Sequence, residues 1–196
     1  MKAGVFALAC AAVLPLIVLT WLEKGCRLSH GVFQTCAQLL AFMPGPIGRF
    51  LRAAFYWATL DDCSWEGNIG FGSVFVHRGA RIAANVSTGL YCVMGHATIG
   101  RGVMMASHVS IPSGKRQHLD AAGQISSETR YDRVSIGART WVGEGAIIMA
   151  DVGECCIVSA GAIVIDAMPD ATLIGGNPAR VVKQLERRSP PLREMV

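Results

Sequence analysis

The stretch that decides the fold is VSIGARTWVGEGAIIMADVGECCIVSAGAIV, residues 134–164. Aliphatic residues recur in it every six positions, with one slip of two, at Ile136, Val142, Ile148, Val152, Val158 and Val164. A period of six fits neither an amphipathic helix nor a strand that alternates between two faces. It predicts a coil of three short strands, each with one inward aliphatic residue, whose stacked turns bury a continuous column.

The same spacing continues toward the N-terminus. It relates Val76 to Ile82 and joins a further series, Val93, Ile99, Met105 and Ile111. Small residues often follow the aliphatic one, as Gly137 follows Ile136, and they let the backbone turn at corners with little steric cost. We therefore predict four or five coils in a β-helix domain over residues 63–180, with the pattern beginning at about residue 68.

One segment interrupts the period. Residues 112–133 are polar and include Lys115, Arg116, His118 and Asp120. Charged side chains cannot enter an aliphatic column, so this inserted loop must project from the coil. A long insertion in a repeat array is a common place for function.

The first 62 residues differ in composition. Residues 3–22 carry no charge, and a helix of that length spans ~30 Å, so we predict a transmembrane or membrane-anchor helix in residues 1–30. A cleaved signal peptide is the alternative, although Trp21 and the residues after it offer no small-residue cleavage site. For residues 31–62 we predict interfacial or re-entrant helices, in which Arg49 and Arg52 lie among aromatic residues.

Charge suggests an orientation for this anchor. The cations that follow it outnumber Lys2 before it, and they are Lys24, Arg27, Arg49 and Arg52. The positive-inside rule then predicts an inner-membrane protein whose C-terminal domain faces the cytoplasm. Residues 181–196 are basic and predict a C-terminal helix or tail that is either solvated or in contact with phosphates.

The cysteines argue against two kinds of site. Seven are scattered along the chain without a C-x-x-C spacing, so neither a zinc site nor a disulfide framework is expected. Reduced cysteines in a domain that faces the cytosol are the simplest interpretation. We expect no metal ligands and no nucleic-acid partner.

The Ile/Val-Gly-x-x-small-x pattern resembles the hexapeptide-repeat acyltransferases over about residues 68–183. Residues 174–180, Ile-Gly-Gly-Asn-Pro-Ala-Arg, are similar to a signature of the branch with maltose, galactoside and nodulation-factor O-acetyltransferases. The resemblance implies an all-β fold, a left-handed parallel β-helix, here with an N-terminal helical membrane segment and a short C-terminal helix. It also implies a homotrimer with active sites between subunits.

Acyl transfer from a thioester to a hydroxyl needs a base, and a histidine side chain suits that role near neutral pH. Gln117-His118-Leu119-Asp120 resembles the family's Thr-His-Pro-Leu-Asp motif without its proline, which implies that His118 is the general base. The imidazole needs a partner that orients it. Asp120, Glu144 and a backbone carbonyl all remain candidates.

The resemblance also implies binding residues. Contacts with the acyl donor acetyl-CoA would fall at Glu144, Ala160, Ile165, Arg180 and Lys183, with Trp141 near the thioester arm. Cations there can pair with nucleotide phosphates, but Asp166 stands where the family often has lysine. On the acceptor side we predict Tyr91, His96 and Asp120, and Tyr91-Cys92 replaces the usual Asn-Cys.

These patterns predict an acetyl-CoA-dependent O-acetyltransferase that acts on a sugar hydroxyl of a polysaccharide or lipid-linked glycan precursor, as in exopolysaccharide biosynthesis. A small-molecule acetyltransferase for a xenobiotic or serine, and a non-catalytic β-helical membrane scaffold, remain as alternatives. A β-helical carbonic anhydrase is disfavoured because His96, His108 and His118 lack a close H-x₄-H pair.

Overall fold

A computed structural model of the chain describes residues 2–26, 31–120 and 122–186. Three helices come first: α1 (Lys2–Gly25), α2 (Gly31–Ala41) and α3 (Gly45–Thr59). We call residues 2–59 the helical base. The part that follows, residues 62–186, is a parallel β-solenoid, and we call it the solenoid.

The strands of the solenoid are short, and most have two or three residues. They are β1 (Asp62–Cys63), β2 (Val74–Phe75), β3 (Arg81–Ile82), β4 (Ser87–Thr88), β5 (Val93–Met94), β6 (Ala97–Ile99), β7 (Met104–Met105), β8 (Ser110–Ile111), β9 (Val134–Ile136), β10 (Trp141–Val142), β11 (Ile147–Ile148), β12 (Ile157–Val158), β13 (Ile163–Val164), β14 (Thr172–Gly176) and β15 (Ala179–Gln184).

These strands stack into three sheets that form the faces of the solenoid. Face A has the order β1-β3-β6-β9, face B has β4-β7-β10-β12-β14-β15, and face C has β2-β5-β8-β11-β13. The chain makes about seven turns. Four or five were predicted from the sequence, because the first turn places Cys63 and Phe75 at inward positions where later turns have aliphatic residues.

The predicted aliphatic column is confirmed. Ile99, Ile136, Ile148 and Val158 all point inward and are 0–2% exposed. At the corners the backbones of successive turns lie so close that a Cβ on Gly137 would come within 2.4 Å of the Glu154 nitrogen. The turns can therefore stack this closely only where the corner residues are small.

The end of the described chain differs from expectation. Residues 181–184 were predicted to begin a helix, but Ala179–Gln184 forms β15, which pairs antiparallel with β14. The β-branched residues Val181 and Val182 suit a strand, and β14 offers an edge whose backbone groups need partners. The remainder of the predicted helix, residues 187–196, lies outside the described residues.

Helix α3 closes the first turn of the solenoid. Phe55 and Tyr56 are fully buried, and the Tyr56 hydroxyl accepts a hydrogen bond from the Phe75 N–H at 3.2 Å. Burial raises the pKa of Tyr56, so this phenol stays neutral. The apolar side of α3 thus continues the column into the helical base.

Arg52 on α3 has a structural role that its sequence position does not reveal. It is 2% exposed, and it donates hydrogen bonds to the carbonyls of Leu40 at 3.1 Å, Met43 at 2.7 Å and Ile69 at 3.0 Å. Burial lowers the pKa of its guanidinium. Arg52, which was counted among the cations that follow the anchor, therefore caps the end of α2 inside the protein.

Helix α1 lies across the closed end of the solenoid and contacts its first turn at both ends. Near its N-terminus, the ring of Phe6 lies 5.3 Å from that of Trp65. Near its C-terminus, Glu23 forms a buried ion pair with Arg78. The same carboxylate accepts hydrogen bonds from the N–H groups that begin α2, those of Val32 at 2.6 Å and Phe33 at 3.1 Å. One carboxylate therefore joins two helices to the solenoid.

The outward side of the base is apolar. Large side chains there are strongly exposed, namely Leu8 at 73%, Leu14 at 53%, Leu22 at 60%, Leu39 at 61%, Phe42 at 64% and Ile47 at 71%. Helix α1 is also long and apolar enough to cross a membrane. Exposed apolar surface on this scale is typical of an interaction site.

Candidate functional site

The inserted loop leaves the solenoid after β8, at the corner between faces C and A, and returns into β9. It folds into a small antiparallel hairpin in which Leu119 bridges Ile125. Two more backbone hydrogen bonds support it, from Ser126 N–H to the His118 carbonyl and from Arg130 N–H to the Gln117 carbonyl, both 2.9 Å. The loop was predicted to project, and this hairpin is how it holds its shape.

His118 lies on the first arm of this hairpin and is exposed. Among the described residues, none forms a hydrogen bond with its ring. Asp120 forms other contacts, because its Oδ1 accepts hydrogen bonds from the N–H groups of Ala122 at 2.9 Å and Gln124 at 2.8 Å. Within one chain, the imidazole of His118 is therefore exposed and uncommitted.

His96 has a different environment. Its Nε2 lies 2.6 Å from the Arg133 guanidinium, which can only donate, so this nitrogen is the acceptor. Its Nδ1–H then donates to the Tyr131 carbonyl at 3.3 Å, and its backbone N–H donates to Ser113 Oγ at 2.9 Å. His96 thus contacts both ends of the insertion in its neutral form. With its lone pair occupied, it is not positioned to act as a base.

A cavity of about 450 Å³ lies beside this cluster. Its walls come from three parts of the chain: Gln34 on α2, His77 and Val93 on the solenoid, and Gln117 and Tyr131 on the insertion. The ring of His77 lies 4.7 Å from that of His96 and 5.0 Å from that of Tyr131. Polar and aromatic groups that converge on a concave site suit a small polar ligand.

A second groove, of about 640 Å³, runs over face B beside β15. Trp141 and Lys183, both predicted cofactor contacts, line it together with Arg139 and Cys155. Arg139 Nε donates to Cys155 Sγ at 3.3 Å, and this hydrogen bond raises the pKa of Arg139. The groove therefore combines an exposed indole with two cations.

Ile165 and Arg180 lie at a third place, where Asp166 joins two cations. Lys115 Nζ, from the start of the insertion, donates to the Ile165 carbonyl at 2.9 Å and to Asp166 Oδ1 at 3.2 Å. Arg180 Nη1 lies 3.6 Å from Asp166 Oδ2. Lys115 thus brings a cation next to Asp166, the position at which the resembling family often has lysine.

Glu144, Ala160 and Tyr91 lie along the corner between faces B and C. His108 Nδ1 is 3.5 Å from Glu144 Oε1, and its ring stacks on that of Tyr91 at 5.7 Å. Both members of the ion pair are more than 60% exposed, so the pair adds little stability. Neighbouring Cys92 is buried, which raises the pKa of its thiol and makes it part of the core.

The predicted residues therefore occupy several surfaces of one chain. The structure brings together Trp141 with Lys183, Glu144 with Ala160 and Tyr91, and Ile165 with Arg180, while His118, Asp120 and His96 belong to the insertion and its base. Sequence reasoning missed His77, Ser113, Tyr131 and Arg133. The sequence did hold a signal for this cluster. His77, His96 and Ser113 are spaced by about one turn of the solenoid, so they stack at the same corner.

The outward residues of the three faces differ. Face B presents an apolar ladder, Met104, Trp141, Ile157 and Leu173. Face C presents Val74, Val93, Ser110, Ile147 and Ile163. Face A presents Asp62, Arg81, Thr98 and Ser135. Two adjacent faces are thus mainly apolar and the third is polar.

Within the ranges that the structure describes, no group of three or more His, Cys, Asp or Glu side chains is arranged to hold a metal ion. The sequence matches no family model. Two curated relatives are acetyltransferases by name. A provisionally named acetyltransferase of Schizosaccharomyces pombe is 29% identical over 113 residues, covering 57% of this chain and 54% of that protein.

The second relative is a provisionally named lipopolysaccharide biosynthesis O-acetyl transferase, WbbJ, of Escherichia coli. It is 32% identical over 97 residues, covering 44% of this chain and 50% of that protein. The chain thus spans about half the length of these curated relatives.

Among solved structures, a maltose O-acetyltransferase from Clostridium difficile is similar with a TM-score of 0.68 and 23% identity, over 79% of this chain and 85% of that one. This similarity supports the β-helix fold, whose left-handed sense the resemblance implied. The repeat sequence and the solenoid agree with the fold of this neighbour, and the curated relatives that the chain resembles over about half their length are acetyltransferases by name.

Proposed function

We propose that the protein is an acetyl-CoA-dependent O-acetyltransferase that modifies a sugar hydroxyl, with His118 as general base. The observation that carries this proposal is the hairpin, which presents an uncommitted imidazole while its neighbour Gln117 lines a polar cavity. In the reaction, His118 takes the hydroxyl proton as the oxygen attacks the thioester carbonyl. The thiol of coenzyme A then leaves with that proton.

Acetyl-CoA binding is proposed for the cationic and small-residue surfaces of the last turns. Trp141 and Lys183 share one groove, and Glu144 and Ala160 lie on the adjacent corner. Arg180 and Lys115 flank Asp166, so Lys115 can supply the cation that this chain lacks at position 166. Pairing of these cations with nucleotide phosphates would free Asp166 from its present contacts.

A homotrimer would complete the site. The apolar ladders of faces B and C occupy adjacent faces, as expected if each chain packs one face against each of two neighbours. Met104 and Trp141, which are 45% and 43% exposed, would be covered by such packing. The described residues provide no orienting partner for His118, and a neighbouring chain can provide one. Trp141→Glu should yield monomers in light-scattering measurements.

Membrane attachment through the helical base supports a lipid-linked acceptor. We propose that α1 lies along the inner membrane with the solenoid in the cytoplasm, where acetyl-CoA is available. The insertion follows β8, two strand spacings above β2, which places its root only ~10 Å from the base. Gln34 of α2 also lines the cavity, as expected for a site near the membrane that receives a glycan precursor. We assign Tyr91, His96 and Asp120 to the acceptor side, with His96 acting through the insertion that it holds.

Replacement of the base tests the activity. His118→Ala should lower the turnover of acetyl-CoA with a sugar acceptor by ~10²- to 10⁴-fold, while coenzyme A binding and the trimer persist. Glu128→Gln is the matched control, since that exposed side chain lies on the same insertion outside the site. Thiol release would be followed spectroscopically, and near-normal turnover of His118→Ala would refute the assignment.

A scaffold without activity is the second candidate, because the base and the apolar faces alone could organise a membrane assembly. The two functions differ in ligand binding. Calorimetry of the wild-type protein with coenzyme A should show binding for the enzyme and no heat for the scaffold.

A further inference from the structure

A groove between α1 and α3 is lined almost entirely by apolar side chains. Val5, Leu8 and Ala12 form one wall, and Ile47 and Phe50 form the other. Its volume is about 290 Å³. Leu8 and Ile47 are 73% and 71% exposed, so the groove opens onto the apolar outer surface of the base.

A polar cavity of about 330 Å³ adjoins this groove, with Phe50 in the lining of both. Lys2 and Arg49 bring two cations to it, and Glu66 brings one carboxylate. Within the described residues, neither cation forms an ion pair. The Arg49 guanidinium lies over the Phe50 ring at 5.0 Å, at the junction between the apolar and polar parts.

An apolar channel that ends at two unpaired cations matches one kind of molecule, an amphiphile with an anionic head. A free phosphate would leave the groove unfilled, and a purely apolar partner would bury Lys2 and Arg49 without compensation. Trp65 and Asn68 on the rim of the cavity add an indole and an amide, groups that suit the headgroup layer of a bilayer.

We infer that this composite site binds an anionic phospholipid, with one chain between α1 and α3 and the phosphate at Lys2 and Arg49. The site lies on the helical base, away from the insertion that carries His118. The inference rests on the proposed membrane attachment and is independent of acetyl transfer. A lipid bound there would hold α1 in its position across the solenoid.

The test is lipid retention by the full-length protein, purified in detergent and incubated with equal amounts of phosphatidylglycerol and phosphatidylcholine. Native mass spectrometry would count the lipids that remain bound. The wild-type protein should retain phosphatidylglycerol preferentially. The Lys2→Gln/Arg49→Gln variant should lose ~25-fold in that affinity, since each cation near an anionic headgroup contributes a factor of ~5. Equal retention of both lipids by the wild type would overturn the inference.

Two further variants separate the parts of the site. Arg81→Gln/Arg101→Gln removes the same charge from exposed positions on the solenoid and should retain lipid like the wild type. Ala12→Phe fills the groove without changing charge and should lower retention as well. If the Arg81/Arg101 variant loses as much lipid as the Lys2/Arg49 variant, or if Ala12→Phe changes nothing, the composite site is refuted. Membrane fractionation of wild-type cells tests the attachment separately.

Discussion

The solenoid and the helical base differ in the exposure of their apolar side chains. In the solenoid they point inward, so that Ile99 is 1% exposed and Ile148 is fully buried. In the base Phe55 and Tyr56 are buried too, but many other large side chains point outward, and Leu8 and Ile47 are more than 70% exposed. The column of the solenoid is therefore covered by its own turns, while the outer side of the base leaves apolar surface uncovered.

The difference follows from the two periodicities. Six-residue spacing puts one aliphatic side chain on the inside of most strands, and stacking then covers all of them. Helix α1 is apolar around its whole circumference, but only one stripe, which includes Ala9, Val13 and Ile17, is buried. Two regions of similar hydrophobicity thus have different surroundings, and each variant below tests one side of that contrast.

The largest effect on stability is expected where the two regions meet. Glu23→Gln leaves the Arg78 guanidinium buried without its counter-charge, and its Nε and Nη1 already form no hydrogen bond with any described residue. The free energy of unfolding in detergent should fall by ~3–5 kcal/mol. Arg139→Gln breaks an exposed pair with Glu154 and should cost under ~1 kcal/mol. Equal losses in urea titrations would show that Glu23 does not join the base to the solenoid.

A cavity in the column should rank next. Ile148→Ala removes a fully buried side chain from the solenoid and should lower the free energy of unfolding by ~2–5 kcal/mol. Val182→Ala, at a position 65% exposed, should stay within ~0.5 kcal/mol of the wild type. Thermal denaturation followed by circular dichroism would compare them, and an unchanged Ile148→Ala would contradict the closed column.

Polar substitutions on the base should affect location and leave folding almost unchanged. Leu8→Gln with Ile47→Gln should change the free energy of unfolding by less than ~0.5 kcal/mol per site, because both side chains are exposed. Membrane partitioning should weaken by at least ~10-fold, since each side chain contributes ~1.5–3 kcal/mol when it enters an apolar phase. Ile125→Gln on the insertion, at a position 90% exposed, is the control in vesicle flotation. Equal flotation of all three proteins would remove the contrast.

The smallest effect concerns Cys63, beneath the base in the first turn. Burial, with a contribution from Asp62, raises the pKa of its thiol to about 12. Because the folded state holds the proton more tightly, the stabilisation is complete below the unfolded thiol's pKa of ~8.5. It is lost as pH rises from ~8.5 toward about 12. The stability difference between wild type and Cys63→Ala should therefore shrink between pH 8 and pH 10. A difference that stays constant between pH 8 and pH 10 would contradict this prediction.

Much of the solenoid could be predicted because its information is local. The spacing of Ile136, Val142 and Ile148 defines the column, and the polar residues after Pro112 reveal the insertion. The position of α1 could not be predicted, since it depends on the pairing of Glu23 with Arg78, 55 residues away. The direction of β15 likewise depends on an edge that only the stacked turns create.

The candidate site was predicted in part for the same reason. A motif identified His118, but the partners of His96 come from Tyr131 and Arg133, which only the folded insertion brings back to the corner. Asp166 was expected to weaken a phosphate contact. Asp166 pairs with Lys115, which lies 51 residues earlier in the chain. This pairing depends on the stacking of turns, and no local pattern encodes that stacking.

Because α1 rests across the first turn, the number of turns below the insertion sets the distance between the helical base and the hairpin. Removal of one full turn would lower the hairpin by a single strand spacing, ~4.8 Å, with little change to the corners that remain. If the base attaches to a bilayer as proposed, the number of turns also sets the height of the hairpin above that bilayer, and this height can change without any new residue on the insertion.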